Sequence, residues 1–306
     1  MSKINMFWYK VPYGKKNFGD VLGPYIVKKL SGKKIAYIPI LHRGLKRRTF
    51  IAYPAAIYTR KLSFNDIIDN IKYLFGKDNV LISIGSIIGW HSSPKVNIWG
   101  TGIMSRGQHI DNANFFAVRG KYTQKRLLEL GYQSPSTLGD PALLMPLLYK
   151  SNSPLKFKIG IVPHHFHYEN TISKTQSKNI KVINLLENIN QVIDEVCSCE
   201  ILISSSLHGI IIAHAYKKPC LWYNLSNRTI GGDNIKFADY FSSIDIEEYK
   251  AIDLKIDKFD DASIKLIEDL IINRKDIAVA DEDKIRELQK GLIKSAPFHI
   301  RDEFLC

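Results

Sequence analysis

The stretch that most limits the fold runs from Cys199 to Tyr223. Ile201 to Ile203 is a short apolar run with β-branched ends, the pattern of a buried strand. Ser204, Ser205 and Ser206 follow, and Leu207, His208 and Gly209 lead into an apolar run from Ile210 to Tyr216. That run lacks glycine and proline and reads as a buried helix. Pro219 stops it, and Cys220 to Tyr223 begin another strand. The order strand, turn, helix, strand belongs to an α/β sheet, with the serines where a strand's carboxyl end meets a helix N-terminus. Ligands of open α/β sheets bind there, and serine hydroxyls with free helix amides suit an anion. Each part also has an ordinary structural reading. The serines can be an N-cap, His208 a structural histidine, and Gly209 a point of close helix–strand packing. Their coincidence at one strand end favours a site.

The same grammar recurs along the chain. Ile4 to Tyr9 reads as a strand, and Asn17 is placed to cap a helix that Gly32 ends. Lys34 to Ile38 is a second strand. Later strands close on Gly85-Ser86, on Gly100-Thr101-Gly102 and on Val118-Arg119-Gly120, and the turn Gly139-Asp140-Pro141 follows. Between them, residues 39–63 are irregular, basic and tyrosine-rich, and Ile67, Ile68, Ile71 and Leu74 have helical spacing. Residues 148–156 are polar, contain Pro154 and read as a linker. A second run begins with the strand Lys158 to Val162, ending in Pro163-His164-His165-Phe166-His167. Ile180 to Ile183 is a strand and Leu186 to Val196 a helix. Past the central unit, 224–234 is a loop, Ile235 to Phe241 is helical, and amphipathic helices over 264–272 and 285–293 close the chain. Consecutive apolar strands with small polar ends predict an α/β fold of two Rossmann-like domains facing a cleft, residues 1–149 and 150–306.

Composition narrows the function. No run of eighteen apolar residues appears, so no transmembrane helix is expected, and the N-terminus lacks a signal-peptide pattern; a cytoplasmic location follows. Four cysteines in 306 residues do not make a disulfide scaffold. The formal net charge of +13 suits anionic partners. Part of it is local, in His42-Arg43 through Lys46-Arg47-Arg48 and in Arg60-Lys61. No helix-turn-helix, zinc finger or RNP-like motif accompanies the cluster, so nucleic acid is not the expected partner. The cluster is either a solvated loop or an attraction to the inner face of a membrane carrying an anionic lipid-linked substrate.

Taken in order, Asn17-Phe-Gly-Asp20, Ile84-Gly-Ser86, Trp99-Gly-Thr-Gly102, Val118-Arg119-Gly120, Gly139-Asp140-Pro141 and Ser205-Ser-Leu-His208-Gly209 resemble the polysaccharide pyruvyl transferase family. The resemblance implies a fold similar to the GT-B glycosyltransferases. It also implies transfer of pyruvate from phosphoenolpyruvate to a sugar of a bacterial surface polysaccharide or its precursor, free or lipid-linked, giving a ketal and phosphate. No metal and no cofactor beyond this co-substrate are implied. The first domain is then expected on the acceptor side and the second on the donor side.

The donor's carboxylate and phosphate need cationic donors and helix amides, and ketal formation needs a general acid. His208 is expected as that acid or as a donor ligand, and Arg119 as a partner of the donor or a structural ion-pair residue. Asp140 is expected as a base for a sugar hydroxyl or as the cap of its own turn. Ser204, Ser205, Ser206, Gly209, His164 and His165 are expected on the donor. Asn17, Asp20, Gly85, Ser86, Gly100, Thr101 and Gly102 are expected on the acceptor. Some family members carry arginine where this chain has Ser206; His164, His165 and Lys217 are the candidates to replace it. The histidines at 164, 165 and 167 sit at spacings that converge poorly on a metal. Two other readings are a glycosyltransferase using a nucleotide sugar and a non-catalytic binder of anionic ligands.

Overall fold

The computed structural model describes residues 3–10, 17–38, 65, 68, 79–90, 95–224, 233–254 and 256–305. They form two parallel five-stranded sheets flanked by helices. The first holds β1 (Lys3–Phe7), β2 (Lys34–Tyr37), β3 (Val80–Ile82), β4 (Val96–Trp99) and β5 (Asn114–Ala117), in the order β2-β1-β3-β4-β5. The second holds β6 (Phe157–Val162), β7 (Ile180–Val182), β8 (Cys199–Ser204), β9 (Cys220–Asn224) and β10 (Ile252–Asp253), in the order β10-β9-β8-β6-β7. Counted from its own first strand, each sheet has the doubly wound order 2-1-3-4-5. The winding therefore reverses between β1 and β3, and again between β6 and β8. Because helices cover both faces, the central strands are apolar throughout: Val80–Ile82 is fully buried, as are Ile159 to Val162.

The longer helices among the described residues are α1 (Phe18–Ser31), α2 (Lys121–Glu129), α3 (Tyr168–Lys174), α4 (Ile189–Cys197), α5 (Leu207–Ala215), α6 (Ile235–Ser243), α7 (Asp261–Asn273) and α8 (Glu282–Lys294). Helix α1 ends at Gly32, whose φ of 69° is the left-handed conformation glycine adopts without steric cost. Asn17 stands at its N-cap, but the side chain donates to the Asp20 carboxylate (Nδ2 to Oδ2, 2.8 Å) instead of capping. The first strand stops at Phe7, two residues before its expected end at Tyr9. Residues expected only as a strand-end loop, His165 to His167, form a 3-10 turn that runs into α3. The basic cluster over 42–48, Arg60-Lys61, the loop over 39–63 and the helical spacing over 67–74 lie outside the described residues, apart from Ile68.

One apolar cluster spans both sheets, and a separate one holds Val80, Ile82, Val96 and Ile98 of the first sheet. Phe18, Leu22 and Ile26 of α1, Leu143 and Leu144, Val192 and Ile193 of α4, and Ile210 and Ile211 of α5 belong to one continuous cluster. Helices α1 and α5 both pack on the turn Pro141–Leu144. Helix α8 returns to the first sheet, where Trp99 Nε1 donates to the Leu292 carbonyl (3.1 Å) and Gln289 to the Leu143 carbonyl (2.7 Å). Cys197, Cys199 and Cys220 are free thiols, and no helix among the described residues is long and apolar enough to cross a membrane.

A buried ion pair completes the joint. Arg119, just past β5, donates through Nε to Asp239 Oδ2 of α6 (2.9 Å), through Nη1 to Ser86 Oγ (2.7 Å) and through Nη2 to the Ile103 carbonyl (2.7 Å). Asp239 in turn accepts from the Thr123 backbone N–H (2.8 Å) and hydroxyl (2.7 Å), so a carboxylate from the second half caps α2 of the first. Both side chains are fully buried. Removing one partner strands the other charge in the interior. Asp239→Ala is therefore expected to destabilise the protein by about 3–5 kcal/mol, read as a lower midpoint in urea unfolding.

Candidate active site

The two reversal points set the site, since each leaves a crevice at the carboxyl edge of its sheet. In the first sheet, Asn17, Gly19 and Asp20 follow β1 and Gly85 and Ser86 follow β3. In the second, His164 follows β6, and Ser205, Ser206 and His208 follow β8. The His164 N–H donates to Ser205 Oγ (3.0 Å) and ties that crevice together. The two edges meet at Gly19, where an added Cβ would collide with the His208 imidazole.

His208 and Asp140 form the centre of this meeting point. Asp140 Oδ1 accepts from the Ala142 N–H (2.9 Å) and caps its own turn. Oδ2 is left over, buried and without a hydrogen-bond partner among the described residues, and the same is true of His208 Nε2. The two atoms face each other at 3.7 Å, too long for a hydrogen bond and close enough for a small adjustment to make one. A buried polar atom left unpaired is costly, so this pair marks a place where a proton or a ligand group is due. The imidazole keeps 14% of its side-chain surface exposed while Nε2 is covered.

Burial drives the neighbouring ionisable groups toward their neutral forms. The Asp20 carboxyl is raised from 3.8 to about 6 by desolvation, against the lowering effects of the Asn17 amide and the His208 charge. His164 is lowered to about 3, by desolvation and then by the charges of His165, Lys236 and His167, so it carries no charge at neutral pH. Lys236, in the first turn of α6, is lowered from 10.5 to about 8 by desolvation and by the Arg119 charge. Its ammonium makes no ion pair among the described residues and lies 5.3 Å from the centre of the Phe237 ring.

Several of the other expected residues are occupied within the protein. Ser204 Oγ accepts from the Ser206 N–H (3.0 Å) and lies near the Val162 and Ser206 carbonyls. A Cβ at Gly209 would press on Ser204 and Val162, so this glycine admits close helix–strand packing. Thr101 is buried, with its hydroxyl on the Gly85 carbonyl (2.6 Å). A Cβ at Gly100 would strike Pro141, and one at Gly102 would strike Arg119 and Asp239. Arg119 itself is the ion-pair residue of its two readings, with Nε, Nη1 and Nη2 each donating inside the protein. Lys217, a candidate to replace the absent arginine, stands away from the His208–Asp140 pair. It follows the far end of α5 from His208 and pairs with Glu282 at the surface (2.6 Å). His164 is uncharged at neutral pH in the free protein, whereas Lys236 keeps its charge up to about pH 8. Lys236 was not legible in the sequence as a site residue, because only the fold brings it beside His164 and Arg119.

A cavity of about 500 Å³ beside α4, lined by Lys156, Lys181, Asn188, Gln191 and Glu195, contains none of these groups. Among the described residues, no cluster of three or more His, Cys, Asp and Glu side chains is placed to hold a metal ion.

Comparison with known proteins now decides the family. The pattern described as polysaccharide pyruvyl transferase matches residues 17–227, from Asn17 beside the site through β9. The chain belongs to the polysaccharide pyruvyl transferase family. It is also 30% identical over 238 residues to "Uncharacterized protein L143" of Acanthamoeba polyphaga mimivirus, covering 72% of this chain and 80% of that one. The family match includes every residue at the His208–Asp140 meeting point and stops short of Lys236.

The raised Asp20 carboxyl has a consequence for stability. Its folded value of about 6 lies above 3.8, so the folded state holds the proton more tightly than the unfolded chain. The cost of ionising it is absent at low pH, grows as pH rises past 3.8 and is complete above about 6. Asp20→Asn removes that cost. The variant is expected to be more stable near neutral pH, by an amount on the order of 3 kcal/mol, and to lose the advantage in acid. Thermal unfolding across pH checks both halves of the expectation.

Proposed function

We propose that the chain transfers pyruvate from phosphoenolpyruvate to two hydroxyls of a sugar, in a polysaccharide or its precursor, and releases phosphate. The observation that carries this reading is the His208–Asp140 pair, brought to 3.7 Å from opposite halves of the chain with neither facing atom hydrogen-bonded among the described residues. Family membership supports the transferase class; the donor and the ketal product are the proposal.

The reaction needs a proton at the donor's methylene carbon. His208 supplies it, held by Asp140 Oδ2 through Nε2 once the gap closes on substrate. The cation that develops at the adjacent carbon is attacked by one sugar hydroxyl, phosphate departs, and the second hydroxyl closes the ketal. Of the two hydroxyl protons, one balances the proton gained by the new methyl group and the other leaves with phosphate. Asp20 is the base for a hydroxyl, since a carboxyl titrating near 6 exchanges protons readily at neutral pH. The donor's negative charge is met by Lys236 and by the first-turn N–H groups of α5. Lys236 takes the place of the arginine absent at Ser206. An anion bound there favours the charged ammonium, so its lowered value does not prevent the pairing.

Phosphate release from phosphoenolpyruvate in the presence of glycoside acceptors, with mass analysis of the product, tests the reading. A gain of a pyruvyl mass on the acceptor is expected, and His208→Gln is expected to lose on the order of 100-fold or more in kcat. A nucleotide-sugar requirement, or glycan binding without turnover, would overturn it. Lys236→Ala is expected to raise the KM for phosphoenolpyruvate about tenfold or more, while Lys236→Arg keeps most of the affinity. In the unmodified protein the KM rises as pH passes about 8, where free Lys236 loses its charge. In Lys236→Arg that rise is absent.

A further inference from the structure

We propose that the Tyr223 hydroxyl is a positioning group for the donor: by donating to Ser205 Oγ it turns the Ser205 O–H onto the donor's anion at the N-terminus of α5. The inference rests on the pyruvyl-transfer reading for the identity of that anion and adds how its site is set. Tyr223, near the end of β9, is 1% exposed, and its hydroxyl is buried without a hydrogen-bond partner among the described residues. A buried hydroxyl that bonds to nothing is costly, and phenylalanine would fill the same space without that cost. The strand register names the neighbour. Strands β8 and β9 run parallel with Ser204 opposite Trp222, so the next position along brings Ser205 beside Tyr223. Side chains alternate along a strand, so both lie on the face away from Trp222, whose ring stacks on Phe237 (4.0 Å between centres). Burial raises the Tyr223 phenol well above its ordinary value, and the Ser205 hydroxyl acts against that rise. Tyr223 therefore keeps its proton at neutral pH and is a donor there.

Counting protons gives the pair its direction. A serine hydroxyl accepts twice and donates once. Ser205 Oγ accepts from the His164 N–H (3.0 Å), and among the described residues its own proton makes no hydrogen bond. In the free protein the Ser205 and Tyr223 protons therefore compete for one acceptor, since either hydroxyl can bond to the other but not both at once. A second acceptor satisfies them together. Tyr223 then donates to Ser205, both lone pairs of Ser205 Oγ are filled, and its proton points outward to that acceptor. Ser205 immediately precedes Ser206, the N-cap of α5, whose side chain makes no capping bond. The first-turn N–H groups of α5 and the Ser205 proton thus stand at the same helix end, where an anion is favoured. A hydroxyl whose oxygen already accepts is the stronger donor, so the phenol strengthens the bond Ser205 gives to the anion.

The test uses the full chain, the variants Tyr223→Phe and Ser205→Ala, their double variant, and two probes, phosphoenolpyruvate and inorganic phosphate. Thermal unfolding with and without each probe reads binding, and steady-state kinetics reads donor and acceptor KM separately. Tyr223→Phe is expected to raise the phosphoenolpyruvate KM about fivefold and leave the acceptor KM within about twofold. Its unfolding midpoint without ligand is expected to equal or exceed that of the unmodified protein, because the lost hydroxyl had no partner. The upward shift given by inorganic phosphate is expected to shrink. Ser205→Ala raises the same KM, and the double variant raises it little further, since both changes break one chain of bonds. An unchanged phosphoenolpyruvate KM and phosphate shift in Tyr223→Phe overturn the proposal. So does a lowered midpoint at unchanged KM, which would make the hydroxyl structural, and so do effects that multiply in the double variant. If both probes bind in a Tyr223-dependent way but no pyruvyl group reaches an acceptor, the transfer reading fails and the positioning role stands.

Discussion

The joint between the two sheets depends on the Arg119–Asp239 ion pair. Both side chains are fully buried, which is costly unless every charge finds hydrogen bonds. Here three guanidinium nitrogens and both carboxylate oxygens are engaged by Ser86, the Ile103 carbonyl, Thr123 and each other. Satisfying them forces neighbouring choices. Gly102 and Gly120 leave room that any Cβ would fill with a clash, and the Thr123 hydroxyl is held in place, accepting from the Ile103 N–H (3.0 Å). The pair also fixes the rotation of α6. Positions three apart share a helix face, so anchoring Asp239 sets where Lys236 points. The ion pair is thus structural in itself and functional in what it aims.

The charges around the site follow from burial more than from any single partner. Desolvation is the largest cause for Asp20, for His164 and for Lys236, and in each case it favours the neutral form. An aqueous surface would leave all three near their ordinary values. A site whose carboxyl and ammonium titrate close to physiological pH can change protonation at small cost when a charged ligand arrives. Under the proposed reaction, Lys236, which keeps its charge up to about pH 8, meets an anion, and Asp20, which is ionised above about 6, accepts a proton from a hydroxyl. The Asp140 Oδ2 and His208 Nε2 atoms belong to the same pattern, since neither has a hydrogen-bond partner among the described residues.

Much of this was legible in the chain. Apolar strands ending in small polar residues announced parallel sheets, because a strand covered on both faces has no polar alternate positions. The coincidence of serines, histidine and glycine after β8 pointed to His208, and Gly139-Asp140-Pro141 to Asp140. What the residue pattern could not separate was a glycine or threonine that touches a ligand from one that makes room for a buried ion pair. Gly100, Thr101 and Gly102 looked like a ligand loop, yet Asp239, which helps require Gly102, lies more than a hundred positions further along. Lys236 was passed over for the same reason. A lysine in a helical segment looks solvent-exposed until the fold places Arg119 and His164 against it. Helix α3 was missed because Tyr168–Lys174 is short, and Thr171 is its lone buried residue.

The doubling of the sheet order gives the site its logic. A single doubly wound sheet offers one crevice, which suits one ligand. Two such sheets, joined so that Gly19 of one edge receives His208 of the other, bring two crevices to a common point. Group transfer between two molecules needs both held at once, and fixing their approach in advance lowers the barrier more than binding either tightly. The joint that makes this possible is a continuous apolar core reinforced by a buried ion pair. A closure that opened it would expose both charges and the core beneath them. Under the proposed reaction His208 and Asp140 are consequently set by folding, and what remains for the ligands is the last adjustment across the gap between them.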